Sequence, residues 1–136
     1  MIVSIPLPIS QEMLEGIEAL YRQAGWRAYL NDSAKLRRAM DGSLHLACAF
    51  HEKQLIGMVR VVGDGEHVVL IQDLLVEEGH RREGVGRALL AHVIGRYQDV
   101  RTKLVLTDVE DPVANEFYRS MGLKPIAQCD MIAYIV

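Results

Sequence analysis

The chain has 136 residues, half of them hydrophobic and 24% charged, with a formal net charge of −3 at pH 7. This length predicts one domain, and the acidic balance argues against a generic nucleic-acid binder, which needs a basic face. No apolar run approaches the roughly 20 residues of a membrane span, and the N-terminus lacks the basic leader of a signal peptide. Because Cys48 and Cys129 are too few for a disulfide scaffold, we expect a cytoplasmic protein with reduced thiols and no membrane partner.

The first half of the chain predicts an edge strand, two helices and a hairpin. Residues 2–8 contain two prolines, which cannot donate to a β-ladder and therefore suit an edge. A helix follows from a cap at Ser10 to a stop at Gly25, and a loop leads to a second helix capped by Asp32 or Ser33. The predicted hairpin strands are residues 44–51 and 55–62.

The second half predicts strand, helix, strand and helix, followed by one or two closing strands, which makes a mixed α/β sheet. Residues 68–76 form a branched apolar run typical of a central strand, and apolar residues recur at helical spacing from Gly86 onward. Residues 103–107 are a further short strand. Asp111 and Pro112 mark the start of the last helix. The closing strands are expected within residues 123–136, with a hairpin turn at 128–130.

The turn after the central strand is basic and rich in glycine. Arg81, Arg82, Gly84, Gly86 and Arg87 stand before or within the first helical turn. There the backbone N–H groups lack intrahelical partners and the helix dipole adds partial positive charge. Glycine removes the Cβ atom, so an anion can approach the backbone closely. The turn therefore indicates a phosphate site.

Two nucleotide-binding patterns fit this turn weakly. A P-loop needs Lys and then Ser or Thr after its last glycine, where Arg87 and Ala88 stand. A dinucleotide fingerprint needs glycine or alanine at the position of Leu89. The pattern that fits is Arg-x-x-Gly-x-Gly-x-Ala after a strand that ends in Leu-Leu-Val. It resembles the acyl-CoA pyrophosphate loop of the GCN5-related N-acetyltransferase (GNAT) family.

A second segment, residues 111–123, resembles another motif of that family, Asn-x-x-Tyr-x-x-x-Gly-Phe. Asn115 and Tyr118 stand at its first two fixed positions, three residues apart and so on one helix face, whereas Leu123 replaces the usual phenylalanine. The helical pattern also places Val113 on the core face of this helix.

The resemblance implies a central mixed, mostly antiparallel sheet that is splayed in the middle and flanked by about four helices, with acetyl-CoA as co-substrate. The backbone of Leu74, Leu75 and Val76 would bind the pantetheine arm and the acyl carbonyl, and Asn115 would also hydrogen-bond that arm. Tyr118 would protonate the leaving thiolate. The pyrophosphate would be held by the loop residues Arg81, Arg82, Glu83, Gly84, Val85, Gly86, Arg87 and Ala88.

The loop departs from the family at two positions. The family usually carries a glycine and then a lysine before the first motif glycine, where this chain has Arg82 and Glu83. Arg82 can replace the missing positive charge because its guanidinium pairs well with phosphate. Glu83 cannot, so we expect its side chain to face solvent while its N–H still contributes.

The acceptor side is less well defined by the sequence. Asp73 is the best-placed carboxylate to take the proton of an amine, and Gln72 or Asp73 can instead order a water that carries the proton away. A purely structural Asp73 is an equal alternative, and a buried charge requires a partner in either case. Trp26 and Tyr29 lie where the family often lines its acceptor pocket, although a core and a surface aromatic would explain them equally.

Together these features predict a single GNAT domain over residues 1–136, an N-acetyltransferase that acts on a primary amine of a small molecule. An aralkylamine and a polyamine-like amine are the candidate acceptors. The alternatives are a CoA-binding or sensing module without significant turnover and a protein N-terminal or lysine acetyltransferase. The histidine spacing predicts no metal site. By resemblance the protein is a homodimer, and the apolar tail at residues 131–136 is a candidate contact.

Overall fold

A computed structural model describes the whole chain, residues 1–136, as two units, Met1–Leu106 and Thr107–Val136. In the larger unit, five strands form a sheet in chain order: β1 (Ile2–Ser4), β2 (His45–His51), β3 (Gln54–Gly63), β4 (Val68–Val76) and β5 (Thr102–Val105). Neighbouring strands are antiparallel except for β4 and β5, which are parallel. The helices of this unit are α1 (Gln11–Ala24), α2 (Ser33–Asp41) and α3 (Val85–Arg96), and the smaller unit contains α4 (Pro112–Ser120). The predicted mixed sheet with four helices is confirmed.

The helix ends follow the local signals. The side chain of Ser10 caps α1, and Gly25 ends that helix in the left-handed region at φ 76°. Asp32, rather than Ser33, caps α2, because its carboxylate accepts the third N–H of the helix. Asp111 caps α4 in the same way. None of the four helices has the length and apolar character that crossing a bilayer requires.

α1 and α3 cover opposite faces of the sheet. Met58 of β3 packs in the same buried cluster as Ile17 of α1. A Cβ atom added at the preceding residue, Gly57, would lie 3.0 Å from the side chain of Val85 and 3.1 Å from that of Leu89, both in α3. Successive residues of a strand point to opposite faces. The sheet therefore has an α1 face and an α3 face.

One extra residue in β4 changes which of its side chains share a face. Arg60 pairs with Asp73 and Val61 pairs with Ile71, so Gln72 bulges between the two pairs. In a regular strand the side chains of Ile71 and Asp73 would lie on the same face. Because of the bulge, Asp73 lies with Arg60 on the α1 face, whereas Ile71 lies with Val61 on the α3 face.

The edge of β4 that faces β5 is only partly paired. β5 pairs with residues 68–71 of β4, whereas β3 pairs with β4 as far as Val76. Residues 72–76 therefore have a strand partner on one side only, and their other side, which we call the free edge, is open. The sheet thus opens between β4 and β5, as the resemblance implies.

The prediction of one or two closing strands is wrong. Residues Ile126–Cys129 form a 3₁₀ turn and Asp130 adopts a left-handed conformation, at φ 58°, where a hairpin turn was expected. An apolar segment forms a strand only where a neighbour takes up its backbone hydrogen bonds, and residues 131–136 have no ladder partner. The expected core position of Val113 is also wrong, since this residue of α4 is 78% exposed.

Candidate active site

The predicted phosphate loop connects β4 to α3. It starts with the 3₁₀ turn Glu78–His80 and ends at Gly84, the residue that caps α3. Gly84 adopts φ 85°, a conformation that favours glycine, and offers no side chain to the helix. The N–H groups of Val85 and Gly86 therefore have neither an intrahelical acceptor nor a capping side chain. The first intrahelical bond joins the N–H of Ala88 to the carbonyl of Gly84 at 2.9 Å, so it leaves the N–H groups of Val85 and Gly86 open.

Arg82 holds an unfavourable backbone conformation in this loop. Its φ is 65°, in the left-handed region that costs a residue with a Cβ atom about 1 kcal/mol. The related family pattern usually has glycine at this position. Arg82 therefore adopts a backbone conformation that glycine would adopt without strain. Its side chain is exposed.

Glu83 is tied to the turn that precedes the loop. Its carboxylate lies 3.0 Å from Nδ1 of His80, whose Nε2 lies 3.4 Å from the carboxylate of Glu77. The side chain of Glu83 is 56% exposed, in agreement with the expectation that it faces solvent. His80 thus holds the one acidic side chain between Arg81 and Ala88.

The free edge meets the loop at Val76. Arg81 Nε donates a long hydrogen bond of 3.5 Å to the Val76 carbonyl, which links the end of β4 to the first arginine of the loop. Leu74 and Val76 are half-buried, whereas Leu75 joins the core on the α1 face. Arg87 is exposed in the first turn of α3. The predicted acyl-binding and phosphate-binding residues therefore form one continuous stretch.

Asp73 is the one buried carboxylate of the protein, at 1% exposure. Its Oδ2 accepts hydrogen bonds from Arg60 Nε at 2.8 Å and from the Tyr21 hydroxyl at 2.6 Å, and its Oδ1 lies 3.4 Å from the Tyr29 hydroxyl. Burial alone would lower the pKa of Arg60, but its hydrogen bond to Asp73 and the charge of Asp73 outweigh burial and raise that pKa. Arg60 therefore stays charged and neutralises Asp73. Of the two alternatives for Asp73, the geometry favours the structural one.

Tyr21 and Tyr29 lie against this ion pair, and Trp26 lies against their rings; we call these three residues the aromatic wall. Tyr21 stacks on Tyr29 with ring centroids 4.7 Å apart, and Trp26 lies 5.8 Å from Tyr21 and 6.0 Å from Tyr29. Tyr21 is fully buried, Tyr29 is half-buried and Trp26 is 37% exposed. The structure thus brings the predicted substrate residues Trp26, Tyr29 and Asp73 together, with Gln72 half-buried at the adjacent bulge.

Sequence reasoning missed Tyr21 and Arg60. The helical pattern places Tyr21 on the apolar face of α1 but does not reveal what its hydroxyl contacts. Arg60 is a single charge among apolar neighbours in β3, and the argument that requires a partner for Asp73 applies equally to Arg60. The sequence therefore contains enough information to predict the Arg60–Asp73 pair, since two opposite charges in adjacent buried strands are expected to pair.

The second unit carries Asn115 and Tyr118 on α4. Asn115 Nδ2 donates to the carbonyls of Asp108 at 2.9 Å and Asp111 at 2.7 Å, so the side chain anchors the loop before the helix and leaves Oδ1 for a ligand. The half-buried ring of Tyr118 packs edge to face with Phe117. Burial and, second, the charge of Asp111 raise the pKa of Tyr118. The phenol is therefore protonated at neutral pH.

The two thiols differ in their surroundings. Burial raises the pKa of Cys48 to about 12, which makes it a poor nucleophile at neutral pH. Cys129, in contrast, is exposed. No group of three or more His, Cys, Asp or Glu side chains is arranged to hold a metal ion.

Sequence comparison defines the class of protein. Residues 11–123 match the acetyltransferase (GNAT) family, and the chain belongs to that family. It is 30% identical over 115 residues to the uncharacterized N-acetyltransferase ycf52 of Gracilaria tenuistipitata var. liui, an alignment that covers 80% of this chain and 60% of the relative. It is also 30% identical over 119 residues to the histone acetyltransferase TAP1 of Glycine max, covering 79% of this chain and 50% of that protein. The chain thus spans only half to three fifths of the length of these two relatives.

Comparison with solved structures also finds a similar GNAT family protein. The GNAT family acetyltransferase SP0256 of Streptococcus pneumoniae TIGR4 superposes with a TM-score of 0.82 at 29% identity. The superposition covers 100% of this chain and 97% of the other. The GNAT fold expected from the phosphate loop and the α4 motif is confirmed.

Proposed function

We propose that this protein transfers the acetyl group of acetyl-CoA to a primary amine of a small molecule. The observation that carries the proposal is the continuity of the free edge, residues 72–76, with the loop that leads to the uncapped start of α3. A strand edge offers N–H and C=O groups to the amides of a pantetheine arm. A helix N-terminus flanked by arginines suits a pyrophosphate. One continuous stretch can therefore bind both ends of the coenzyme.

In the proposed reaction the neutral amine attacks the thioester carbonyl while acetyl-CoA lies along the free edge. A C–N bond forms, the C–S bond breaks when the tetrahedral intermediate collapses, and the thiolate of CoA takes a proton. An N–H of residues 74–76 stabilises the oxyanion, as such donors do in acyl transfer. Tyr118 supplies the proton, since its raised pKa keeps the phenol protonated.

The proton that the amine loses passes to water in this proposal. Asp73 is not assigned this proton, because its carboxylate oxygens already accept from Arg60 and lie against two tyrosine hydroxyls. Gln72, half-buried at the bulge beside Asp73, is assigned the role of ordering that water. The proposed chemistry uses the substrate's own amine as nucleophile, so it requires neither a metal nor a cysteine.

Protein substrates are the competing class, because one relative is named a histone acetyltransferase. The aromatic wall beside the free edge favours a compact acceptor that inserts a ring or a hydrocarbon group next to the thioester. A flexible protein tail would instead be recognised mainly along an extended groove.

We also propose that the protein is a homodimer in which the apolar tail contributes to the contact. Ile132, Tyr134 and Ile135 are 69%, 85% and 98% exposed, and exposed apolar groups of this kind mark interaction sites. Ile135→Asp should shift the mass measured by light scattering from dimer to monomer. A monomeric wild-type protein would contradict the proposal.

Thermal unfolding with coenzyme, followed by an activity measurement, tests the proposed function. Acetyl-CoA and CoA should each raise the midpoint of unfolding, and at a hundredfold excess over Kd the stabilisation amounts to about 2.7 kcal/mol. Thiol release should then occur with at least one amine from a panel. Stabilisation without thiol release from any amine or peptide would favour a sensing module, and no stabilisation would contradict the coenzyme site.

Tyr118→Phe tests the proton donor. Turnover should fall by about 10 to 100-fold while the affinity for acetyl-CoA is unchanged, because only the hydroxyl is removed. Tyr134→Phe is the matched control, since it removes a hydroxyl from an exposed tyrosine of the same unit. Unchanged turnover in Tyr118→Phe would contradict the assignment.

A further inference from the structure

The aromatic wall and α3 lie on opposite faces of the strand that carries the free edge. Asp73, which contacts the wall, lies on the α1 face and is directly followed by Leu74, the first of the proposed acyl-binding residues. α3, whose N-terminus is proposed to hold the coenzyme phosphates, packs on the other face. A thioester at the free edge is therefore flanked by the wall on the face that the phosphate site leaves open.

The negative charge of Asp73, beside the aromatic wall, is already balanced by Arg60. Asp73 is fully buried and paired with Arg60, and no other carboxylate is buried in the protein. A polyamine carries at least one ammonium group besides the amine that reacts, and a buried ammonium needs a carboxylate of its own. Asp73 cannot meet that need while Arg60 holds it. A neutral ring or hydrocarbon group carries no such requirement.

The aromatic wall offers exposed ring surface, held in a fixed position, on which the ring of an acceptor can pack. Trp26 is exposed over a third of its surface and Tyr29 is half-buried, so both present ring area to a ligand. The buried ring of Tyr21 packs against both of them. Aromatic pairs gain stabilisation beyond the area that they bury. Tyr29 is held twice, by stacking on Tyr21 and by the position of its hydroxyl near Asp73. The wall is therefore fixed before a ligand arrives.

We propose that Asp73, paired with Arg60, is a positioning residue that fixes the aromatic wall, and that the wall selects aralkylamines over polyamines as acceptors. The inference rests on the proposed acetyl transfer and names its substrate class. Asp73 acts through Tyr21 and Tyr29, whereas Trp26 and Tyr29 contact the ring of the acceptor. Arg60 determines the selectivity against a second ammonium group.

An amine panel tests the substrate class. Thiol release from acetyl-CoA is measured with phenylethylamine and tryptamine and with putrescine and spermidine. Wild type should favour the aralkylamines by about tenfold or more in kcat/KM. Trp26→Ala should lower that value for aralkylamines by about tenfold, mainly through KM, and leave the affinity for acetyl-CoA unchanged. Val3→Ala is the control and should change neither value, since Val3 is 38% exposed, as Trp26 is 37% exposed, but lies on β1 at the opposite edge of the sheet.

The outcomes of the panel separate this inference from the proposed function. Preference for the polyamines, or an equal loss for both classes in Trp26→Ala, overturns the substrate class and leaves acetyl transfer standing. Stabilisation by acetyl-CoA without thiol release from any amine overturns the proposed function and the substrate class together.

A charge-neutral double variant tests the role of Asp73. Asp73→Asn combined with Arg60→Gln removes both charges without leaving either one unpaired. Turnover should stay within about fivefold of wild type and its pH profile should keep its shape, whereas the preference for aralkylamines should shrink. A double variant that binds acetyl-CoA normally but loses turnover by more than about 100-fold would identify Asp73 as the proton acceptor and overturn the positioning role.

Tyr29→Leu keeps the test decisive if the double variant fails to fold. This change removes one ring of the wall and leaves the Asp73–Arg60 ion pair intact. It should lower kcat/KM for phenylethylamine several-fold and leave putrescine unchanged. An unchanged preference for aralkylamines in this variant would overturn the role of the wall.

Discussion

The phosphate loop and the aromatic wall flank the same strand, β4, yet they are built in different ways. The loop is one exposed, contiguous segment, and its proposed role in phosphate binding depends on backbone conformation and positive charge. The wall comes from α1 and the segment after it, and two of its tyrosines lie against a buried ion pair between β3 and β4. Changes in the loop should therefore mainly lower coenzyme affinity, whereas changes beneath the wall should mainly lower stability.

The largest expected effect is the loss of stability in Asp73→Asn. The substitution leaves Arg60 buried without its counter-charge, and breaking a buried pair in this way costs about 3–5 kcal/mol. Urea unfolding measures the change in the free energy of unfolding. Asp99→Asn, at an exposed position, should change it by less than about 0.5 kcal/mol. A loss below about 1 kcal/mol in Asp73→Asn would contradict the proposed dependence of the wall on this pair.

Gly84→Val should have the largest effect on the loop. A Cβ atom at this position meets no protein atom within 4 Å, so the side chain would project into the space assigned to the pyrophosphate. We expect acetyl-CoA affinity to fall by about 100-fold, measured by calorimetric titration. Gly25→Val is a matched control because Gly25 has a similar φ of 76° and equally open surroundings. It should lose similar stability and retain coenzyme affinity. Equal affinity losses in both variants would show that strain, not a blocked site, is the cause.

A histidine pair on the α3 face, His45 buried and His92 half-buried, gives stability a pH dependence that involves neither the loop nor the wall. His45 Nε2 lies 3.0 Å from His92 Nε2. Burial, and then the charges of Arg96 and His92, lower the pKa of His45 to about 4 from 6.5. The folded state thus favours the neutral ring, so this contribution is complete above pH 6.5 and is lost as the pH falls towards 4. The loss should be about 2 kcal/mol, less than the full shift would give because His92 is only half-buried.

Urea unfolding at several pH values between 7 and 4 measures this dependence. His45→Gln should flatten the part of the profile below pH 6.5, since the variant has no ring to protonate at that position. The same slope in the variant as in wild type would assign the dependence to other groups.

Arg82→Gly should have the smallest effect and should separate stability from affinity within the loop. Glycine adopts the observed φ of 65° freely, so the free energy of unfolding should rise by about 1 kcal/mol. Loss of the guanidinium should weaken acetyl-CoA binding a few-fold, less so at high salt. Glu52→Gly relieves a similar φ of 55° in the β2–β3 turn and should gain stability without a change in affinity. Unchanged affinity in Arg82→Gly would remove Arg82 from the phosphate site.

The difference between the two regions also explains what the sequence could predict. The phosphate loop and the caps at Ser10 and Asp111 were predictable because their signals lie within a few consecutive residues. The wall was predictable only in part, since Trp26, Tyr29 and Asp73 were singled out but Tyr21 and Arg60 were not. Their role follows from a bulge at Gln72 that puts Asp73 on the α1 face, and local periodicity does not reveal such a bulge.

The prediction of closing strands was wrong for a related reason. Residues 131–136 have the composition of a strand, but a strand also requires a partner, and composition does not specify one. The motif residues Asn115 and Tyr118 were located correctly on a helix, whereas the anchoring of Asn115 to Asp108 and Asp111 was not foreseen. Residue type and spacing thus predicted the elements better than they predicted side-chain partners.

Hydrogen exchange of the backbone amides, with and without acetyl-CoA, tests the central claim most directly. The claim is that the free edge of β4 and the start of α3 bind one coenzyme. Acetyl-CoA should slow exchange at amides within residues 74–76 and at Val85 and Gly86, and should leave the paired amides of β2 unchanged. Exchange at the free edge that is unaffected by saturating acetyl-CoA would contradict the account.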